Sequence, residues 1–177
     1  MGLLTLNRKT RWYVSAVVLA GLGAIAESVY RLASQPVDAR WLLLAALTLV
    51  SGSANFKLTA ASATISLSET FVFTSVLLFG AAAGTVTVAL DAFVVSLWLK
   101  RQNRSELYRL LFNIAAPALS IWIGAQTFFA LAGKPPLATF TGPIRVVDLA
   151  WPLLTLTLLY FLLNSWLIAF VVSLKDG

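Results

Sequence analysis

The chain has 177 residues, of which 59% are hydrophobic and 11% charged. Soluble domains have about 45–50% apolar and about 25% charged residues, so a water-soluble fold would leave much of this apolar excess on its surface. The net charge of +6 comes from basic residues beside long apolar runs, which is typical of membrane orientation signals and argues against a nucleic-acid partner.

Two residue types are absent from the sequence, because the chain contains neither Cys nor His. Disulfide frameworks, thiolate chemistry, His or Cys metal sites and imidazole-based nucleophiles are thereby excluded. The seven acidic residues are scattered along the chain, and no two of them form a short motif. The sequence therefore predicts no enzyme, no metal site and no cofactor.

Long apolar segments follow one another along the chain, and a helical membrane crossing needs about 20 mostly apolar residues. They predict an all-α fold, an integral membrane bundle of about six transmembrane helices that forms a single domain over residues 1–177. Pro117 predicts a kink in the fifth span, and Trp151-Pro152 predicts the start of the sixth. The expected spans are approximately residues 12–30, 41–56, 64–79, 84–99, 107–131 and 151–173.

The stretch from Thr64 to Leu99 allows two interpretations. The small residues from Gly80 to Gly84 favour a turn between two short crossings, because Gly weakens a helix interior. The alternation of polar and apolar residues from Thr64 to Ser68 also fits a re-entrant extended segment followed by one span.

The distribution of Lys and Arg predicts the orientation of the bundle, since cytoplasmic ends carry more of them. If the stretch from Thr64 to Leu99 crosses the membrane twice, the basic residues at outer ends are only Arg31, Arg40, Lys134 and Arg145. Both termini are therefore expected in the cytoplasm. Four tryptophans at span ends fit an interfacial aromatic belt: Trp12, Trp41, Trp98 and Trp151.

The first span has a second interpretation, because basic residues, an apolar run and Ala24-Ile25-Ala26 resemble a cleaved secretory signal. An uncleaved first helix is favoured, since the rest of the chain is equally hydrophobic.

Acidic residues inside membrane spans are energetically costly and often functional. Asp91 has no charged residue within eight positions, and Glu69 lies in a polar run with Ser66, Ser68 and Thr70. These two carboxylates are the candidate intramembrane ligand or switch residues. The alternative for Asp91 is an interhelical hydrogen bond, to Asn113 or Asn164.

Other intramembrane polar side chains are candidate interhelical contacts. Glu27 lies one turn before Arg31, so an i,i+4 ion pair is the simplest interpretation there. The full set is Glu27, Asn113, Gln126 and Asn164.

A resemblance covers most of the chain. The run Ile65–Gly80 (ISLSETFVFTSVLLFG), continuing through Gly84 to Asp91, resembles the N-terminal multi-span sensor region of bacterial HD-GYP-type cyclic di-GMP signalling proteins, as do Arg109–Ala115 and Leu159–Ser165. The resemblance implies a sensory input region in the inner membrane of a bacterium, joined to a cytoplasmic phosphodiesterase or related output domain. HD-GYP phosphodiesterases hold metals with His and Asp, whereas this chain has no His, so the output domain is expected to be missing from it. The end at Lys175-Asp176-Gly177 suggests a fragment, or an output on another polypeptide.

A second, weaker resemblance keeps a different function class open. Phe79-Gly80, Gly84 and Asp91 are similar to the hairpin motif of substrate-binding S components of energy-coupling-factor vitamin transporters, although Ala81 replaces that motif's Pro. The first hypothesis is thus a membrane sensory region whose partners are the lipid bilayer, a cytoplasmic output domain or protein, and a small-molecule ligand. The alternatives are a solute-binding transport subunit or a structural subunit of a membrane complex.

Overall fold

The computed structural model describes residues 7–35, 38–53, 67–103, 107–143 and 145–176. Every regular element within these ranges is an α-helix. This confirms the all-α class that the composition predicts.

One helix coincides with each expected span, although the ends differ by several residues. Residues 54–56 of the second expected span and 64–66 of the third lie outside the described residues. The re-entrant interpretation of Thr64–Ser68 is therefore addressed only at Leu67 and Ser68, which are helical. The helices are α1 Arg8–Ser34, α2 Arg40–Ser53, α3 Leu67–Phe79, α4 Ala81–Asn103, α5 Leu107–Ala132 and α6 Val146–Asp176.

Helix length separates these elements into two groups. Three stretches are long and apolar enough to cross a membrane: Arg8–Ser34, Leu107–Ala132 and Val146–Leu174. The apolar parts of α2, α3 and α4 are shorter. At 1.5 Å per residue, the 13 residues of α3 extend about 20 Å, against a hydrocarbon core about 30 Å thick.

Helix α5 lies at the centre of the bundle and packs against α1, α4 and α6, while α2 packs on α3 and α4. Small residues on α5 permit these close approaches, since they bring backbones together. Ala115 contacts the backbone region of α1 at Gly21, and Gly124 contacts Leu156 of α6. The main core is formed by apolar residues of α3, α4, α5 and α6.

Interhelical contacts establish the directions of the helices. Thr10 Oγ1 donates to the carbonyl oxygen of Leu174 at 2.9 Å, which joins the start of α1 to the end of α6. Trp41 Nε1 donates to Thr87 Oγ1 at 2.9 Å, which joins the start of α2 to the first part of α4. The ends of α1, α3 and α5 also meet the start of α4 at one cavity, so the helices alternate in direction along the chain.

The segment between α5 and α6 closes the end of α3. The Leu137 N–H donates to the carbonyl oxygen of Leu77 at 3.0 Å. The Ala138 N–H donates to that of Leu78 at the same distance. These bonds satisfy carbonyl groups that the end of a helix otherwise leaves without an intrahelical partner.

The junction of α3 and α4 is formed by Gly80 alone, which has φ of +99°. Only Gly adopts this conformation readily. The turn expected from Gly80 to Gly84 is shorter in the structure, because α4 begins at Ala81. Gly84 instead lies within α4, where a Cβ would overlap the side chain of Val76 on α3. Its small size allows α3 and α4 to pack closely.

The start of α6 also differs from its expected position. The helix begins at Val146, so Pro152 lies inside it and not in the first turn. Asp148 occupies the first turn, where a negative charge interacts favourably with the helix dipole. Its carboxylate pairs with Lys134 at 3.1 Å, and these interactions favour the earlier start.

The tryptophans at the helix ends have different surroundings. Trp12 and Trp151 are exposed, as expected of residues in an interfacial belt. Trp41 is half-buried and bonded to α4, so it also joins two helices. The side chain of Trp98 lies outside the described part.

Candidate functional site

A cavity of about 270 Å³ lies between α3, α4, α5 and α6. It occupies the half of the bundle that contains the start of α5 and the end of α6. Four of the six candidate residues line it, two carboxylates and two amides: Glu69, Asp91, Asn113 and Asn164. Residues separated by nearly a hundred positions in the sequence thus meet at one site.

The carboxylates approach the cavity from adjacent helices. Glu69 lies in the first turn of α3 with an exposed side chain, and Asp91 is half-buried in α4. They are close enough for their charges to interact. Asp91 is hydrogen-bonded to Ser68, but its Oδ1 is buried and has no hydrogen-bond partner among the described residues.

Within the described ranges, no hydrogen bond joins Asp91 to Asn113 or Asn164, which was the alternative for Asp91. Asn164 Oδ1 is also buried and has no partner there. Ser68 is instead the hydrogen-bond partner of Asp91. The buried acceptor oxygens of Asp91 and Asn164 are consequently both available.

Helix α5 adds a backbone acceptor that the sequence interpretation missed. Asn113 and Pro117 both line the cavity and are four residues apart. Because Pro has no N–H, Pro117 cannot donate the usual i→i−4 bond to the carbonyl oxygen of Asn113. The kink predicted at Pro117 thus has a chemical consequence at the cavity wall.

Two further hydroxyl groups line the cavity, from Ser96 and Tyr160. Ser96 is 4% exposed and Tyr160 is 8% exposed. Tyr160 packs edge-on against Phe73, with ring centroids 5.4 Å apart. Tyr160 and Asn164 are one turn apart on α6 and share a face.

The remaining candidates, Glu27 and Gln126, lie towards the opposite end of the bundle. They line a second cavity of about 340 Å³ beside Gly80 and Pro136. Glu27 forms the expected ion pair with Arg31. It also accepts a hydrogen bond from Trp122 Nε1 at 2.6 Å, which joins α1 to α5.

The first cavity offers acceptors and negative charge. Among its described lining residues, only Glu69 and Asp91 are charged. No group of three or more His, Cys, Asp or Glu residues suitable for a metal ion occurs in the described ranges. The arrangement is suited to binding a small molecule by hydrogen bonds and charge.

Sequence reasoning identified Glu69, Asp91, Asn113 and Asn164 because polar residues are expensive within apolar segments. It missed Ser96 and Tyr160, whose residue types are ordinary in membrane helices. The i,i+4 spacing of Tyr160 and Asn164 was the available signal, since it places both on one helix face.

Comparisons with known proteins add no assignment. No family model matches the chain, and neither a curated protein nor a solved structure matches it.

Proposed function

We propose that the protein is the membrane-embedded sensory region of a bacterial signalling protein. In this proposal a small polar molecule binds in the cavity between α3 and α6, and the bundle relays its presence to a cytoplasmic output domain or partner. The observation that carries the proposal is the pair of buried acceptor oxygens without partners, on Asp91 and Asn164. An unsatisfied buried acceptor is costly, so a ligand that donates to it gains affinity.

The proposed membrane arrangement has six crossings, with both termini in the cytoplasm of the inner membrane. The alternating helix directions support it, because they bring the start of α1 and the end of α6 to one end. Arg8, Lys9 and Arg11 lie at that end, as the positive-inside rule requires. The short helices α2 and α3 can be accommodated by thinning of the bilayer or by snorkelling of flanking residues.

A relay requires two arrangements of the bundle that the ligand binds unequally. Helix α6 connects the cavity to the cytoplasmic end, since Tyr160 and Asn164 line the cavity and Leu174 accepts the bond from Thr10. Between them, the carbonyl oxygen of Leu167 accepts a bond from the Tyr13 hydroxyl at 3.1 Å. A ligand that shifts α6 therefore changes its contacts with α1.

The test of ligand binding uses the protein released from membranes in a mild detergent. Native mass spectrometry should detect a retained small molecule. Asp91→Asn should lose it because the charge is removed, whereas Asp38→Asn should retain it because Asp38 is exposed before α2. A parent protein without a bound molecule contradicts the proposal.

The test of the relay follows backbone amide hydrogen exchange. Removing and restoring the retained molecule should change exchange at residues 167–174, where α6 contacts α1. Exchange that is identical in both states contradicts a sensory function.

A solute-binding transport subunit is the second candidate, because the same cavity could hold a transported solute. It predicts a co-purifying ATPase and uptake of the retained molecule by vesicles. A sensory region predicts neither, so uptake that depends on Asp91 favours the transport function.

A further inference from the structure

We infer that the cavity between α3 and α6 binds a small organic cation, a protonated amine whose N–H groups donate to the cavity wall. This inference rests on the proposed function, since it specifies the chemical class of the ligand. It depends on three properties of the cavity: its charge, its excess of acceptors and its size.

The charge of the lining favours a cation. Glu69 and Asp91 are the only charged residues among the described lining residues. Arg109 lines a neighbouring cavity that shares Phe112 and Asn113 with this one. A charge that is removed from water is stable when it is paired, so the half-buried Asp91 favours a cationic ligand, and the exposed Glu69 adds negative charge at the same cavity.

The hydrogen-bonding groups favour a donor. Asp91 Oδ1 and Asn164 Oδ1 are buried acceptors without partners in the described ranges, and the Asn113 carbonyl lacks its helical donor because of Pro117. An ammonium group has only donors. A carboxylate ligand has only acceptors and would leave the oxygens of Asp91 and Asn164 unsatisfied.

Two hydroxyl groups in the cavity wall are compatible with an amine. Ser96 and Tyr160 are more than nine-tenths buried and line the cavity. Both hydroxyl oxygens can accept a hydrogen bond from an amine.

The volume favours an organic molecule over a bare ion. An apolar cavity of about 150 Å³ accommodates benzene, and one water occupies about 30 Å³ of liquid. At about 270 Å³ the cavity is large enough for a ring with a short side chain. Phe112 and Tyr160 in the wall provide aromatic surfaces that attract cations.

The experiment compares three probes of similar shape and different charge. Benzylamine, benzyl alcohol and benzoate are titrated into the detergent-solubilised protein, and saturation-transfer NMR follows binding against protein-free micelles. Benzylamine should bind at least about tenfold more tightly than benzyl alcohol, because charge-assisted hydrogen bonds are stronger. Benzoate should not bind. Equal affinity for the amine and the alcohol overturns the inference.

Matched variants locate the binding site. Asp91→Asn and Glu69→Gln should each weaken benzylamine binding by about tenfold or more, and Asp38→Asn, an acid-to-amide change outside the cavity, should leave it unchanged. Circular dichroism establishes that each variant is folded. Unchanged binding in Asp91→Asn overturns the inference. Displacement of benzylamine by Mg²⁺ that requires an intact Asp91 also overturns the inference, because that result assigns the site to a metal ion.

Failure of the inference differs from failure of the proposed function. If benzyl alcohol or benzoate binds most tightly and Asn164→Leu abolishes that binding, the assignment of the ligand as an amine is wrong. The cavity then remains a ligand site. The proposed function fails separately, when hydrogen exchange at residues 167–174 does not respond to any bound molecule.

Discussion

The contact between α1 and α5 at Gly21 gives the sharpest test of the packing. A Cβ added to Gly21 would lie 2.6 Å from Ala115 Cβ and 2.7 Å from the Ala115 carbonyl carbon. Carbon atoms pack best about 3.5–4.0 Å apart, so Gly21→Ala must separate the two helices by roughly 1 Å. The obstacle includes backbone, which no side-chain rotation can remove.

Gly23 provides the matched control two residues away, because a Cβ there meets nothing within 4 Å. Both substitutions add the same helix propensity, about 1 kcal/mol in a helix interior, which cancels between the two variants. The remaining difference is the overpacking term, typically about 1–3 kcal/mol. Gly23→Ala should therefore be as stable as the parent or more so, and Gly21→Ala should be less stable than Gly23→Ala by that difference.

The assay is reversible unfolding in mixed micelles of increasing SDS content, followed by circular dichroism and tryptophan fluorescence. The free energy of unfolding is compared among the parent, Gly21→Ala and Gly23→Ala. Equal stability of the two variants refutes the close approach of α1 and α5 at this position.

Three further predictions concern a hydrogen bond between α1 and α5, the junction of α3 and α4, and the orientation of the chain in the membrane. Trp122→Phe removes the hydrogen bond to Glu27 and should lower the free energy of unfolding by about 1.5–3 kcal/mol, the range for bonds to charged groups; an unaltered unfolding curve contradicts that role. Gly80→Ala forces a Cβ into φ of +99° and should destabilise by about 1–3 kcal/mol in the same assay, whereas a stabilised variant shows that the junction has a different conformation. Because the chain has no Cys, single cysteines report topology with an impermeant maleimide. Asp38→Cys should react in spheroplasts, whose inner membrane is intact, and Lys9→Cys only after that membrane is disrupted; the reverse result inverts the proposed orientation.

The helices could be predicted from the sequence because each coincides with an apolar segment that polar or small residues interrupt at its ends. The exact junctions could not. Gly80 provides a positive φ and Gly84 provides a close contact with Val76, and both functions require the same residue type. Sequence alone does not distinguish a glycine that ends a helix from one that packs inside it. Pro152 presents the same ambiguity between a helix start and a helix interior.

The candidate site was predictable in part. Asp91 and Glu69 could be identified because a carboxylate in an apolar segment is energetically costly and often functional. That they share a cavity with Asn113 and Asn164 depends on how α3, α4, α5 and α6 are rotated about their axes. Close contacts between helices, such as that of Gly124 with Leu156, set this rotation. No local pattern in the sequence specifies it.

The two amides that close α3 have a practical consequence for engineering the protein. Leu137 and Ala138 belong to a connection between helices, a type of segment that is usually chosen for epitope tags because loops tolerate insertions. Here an insertion would remove the donors that terminate α3, and α3 carries Glu69 at its other end. A tag placed beside Asp38, where the chain is exposed, leaves those donors in position.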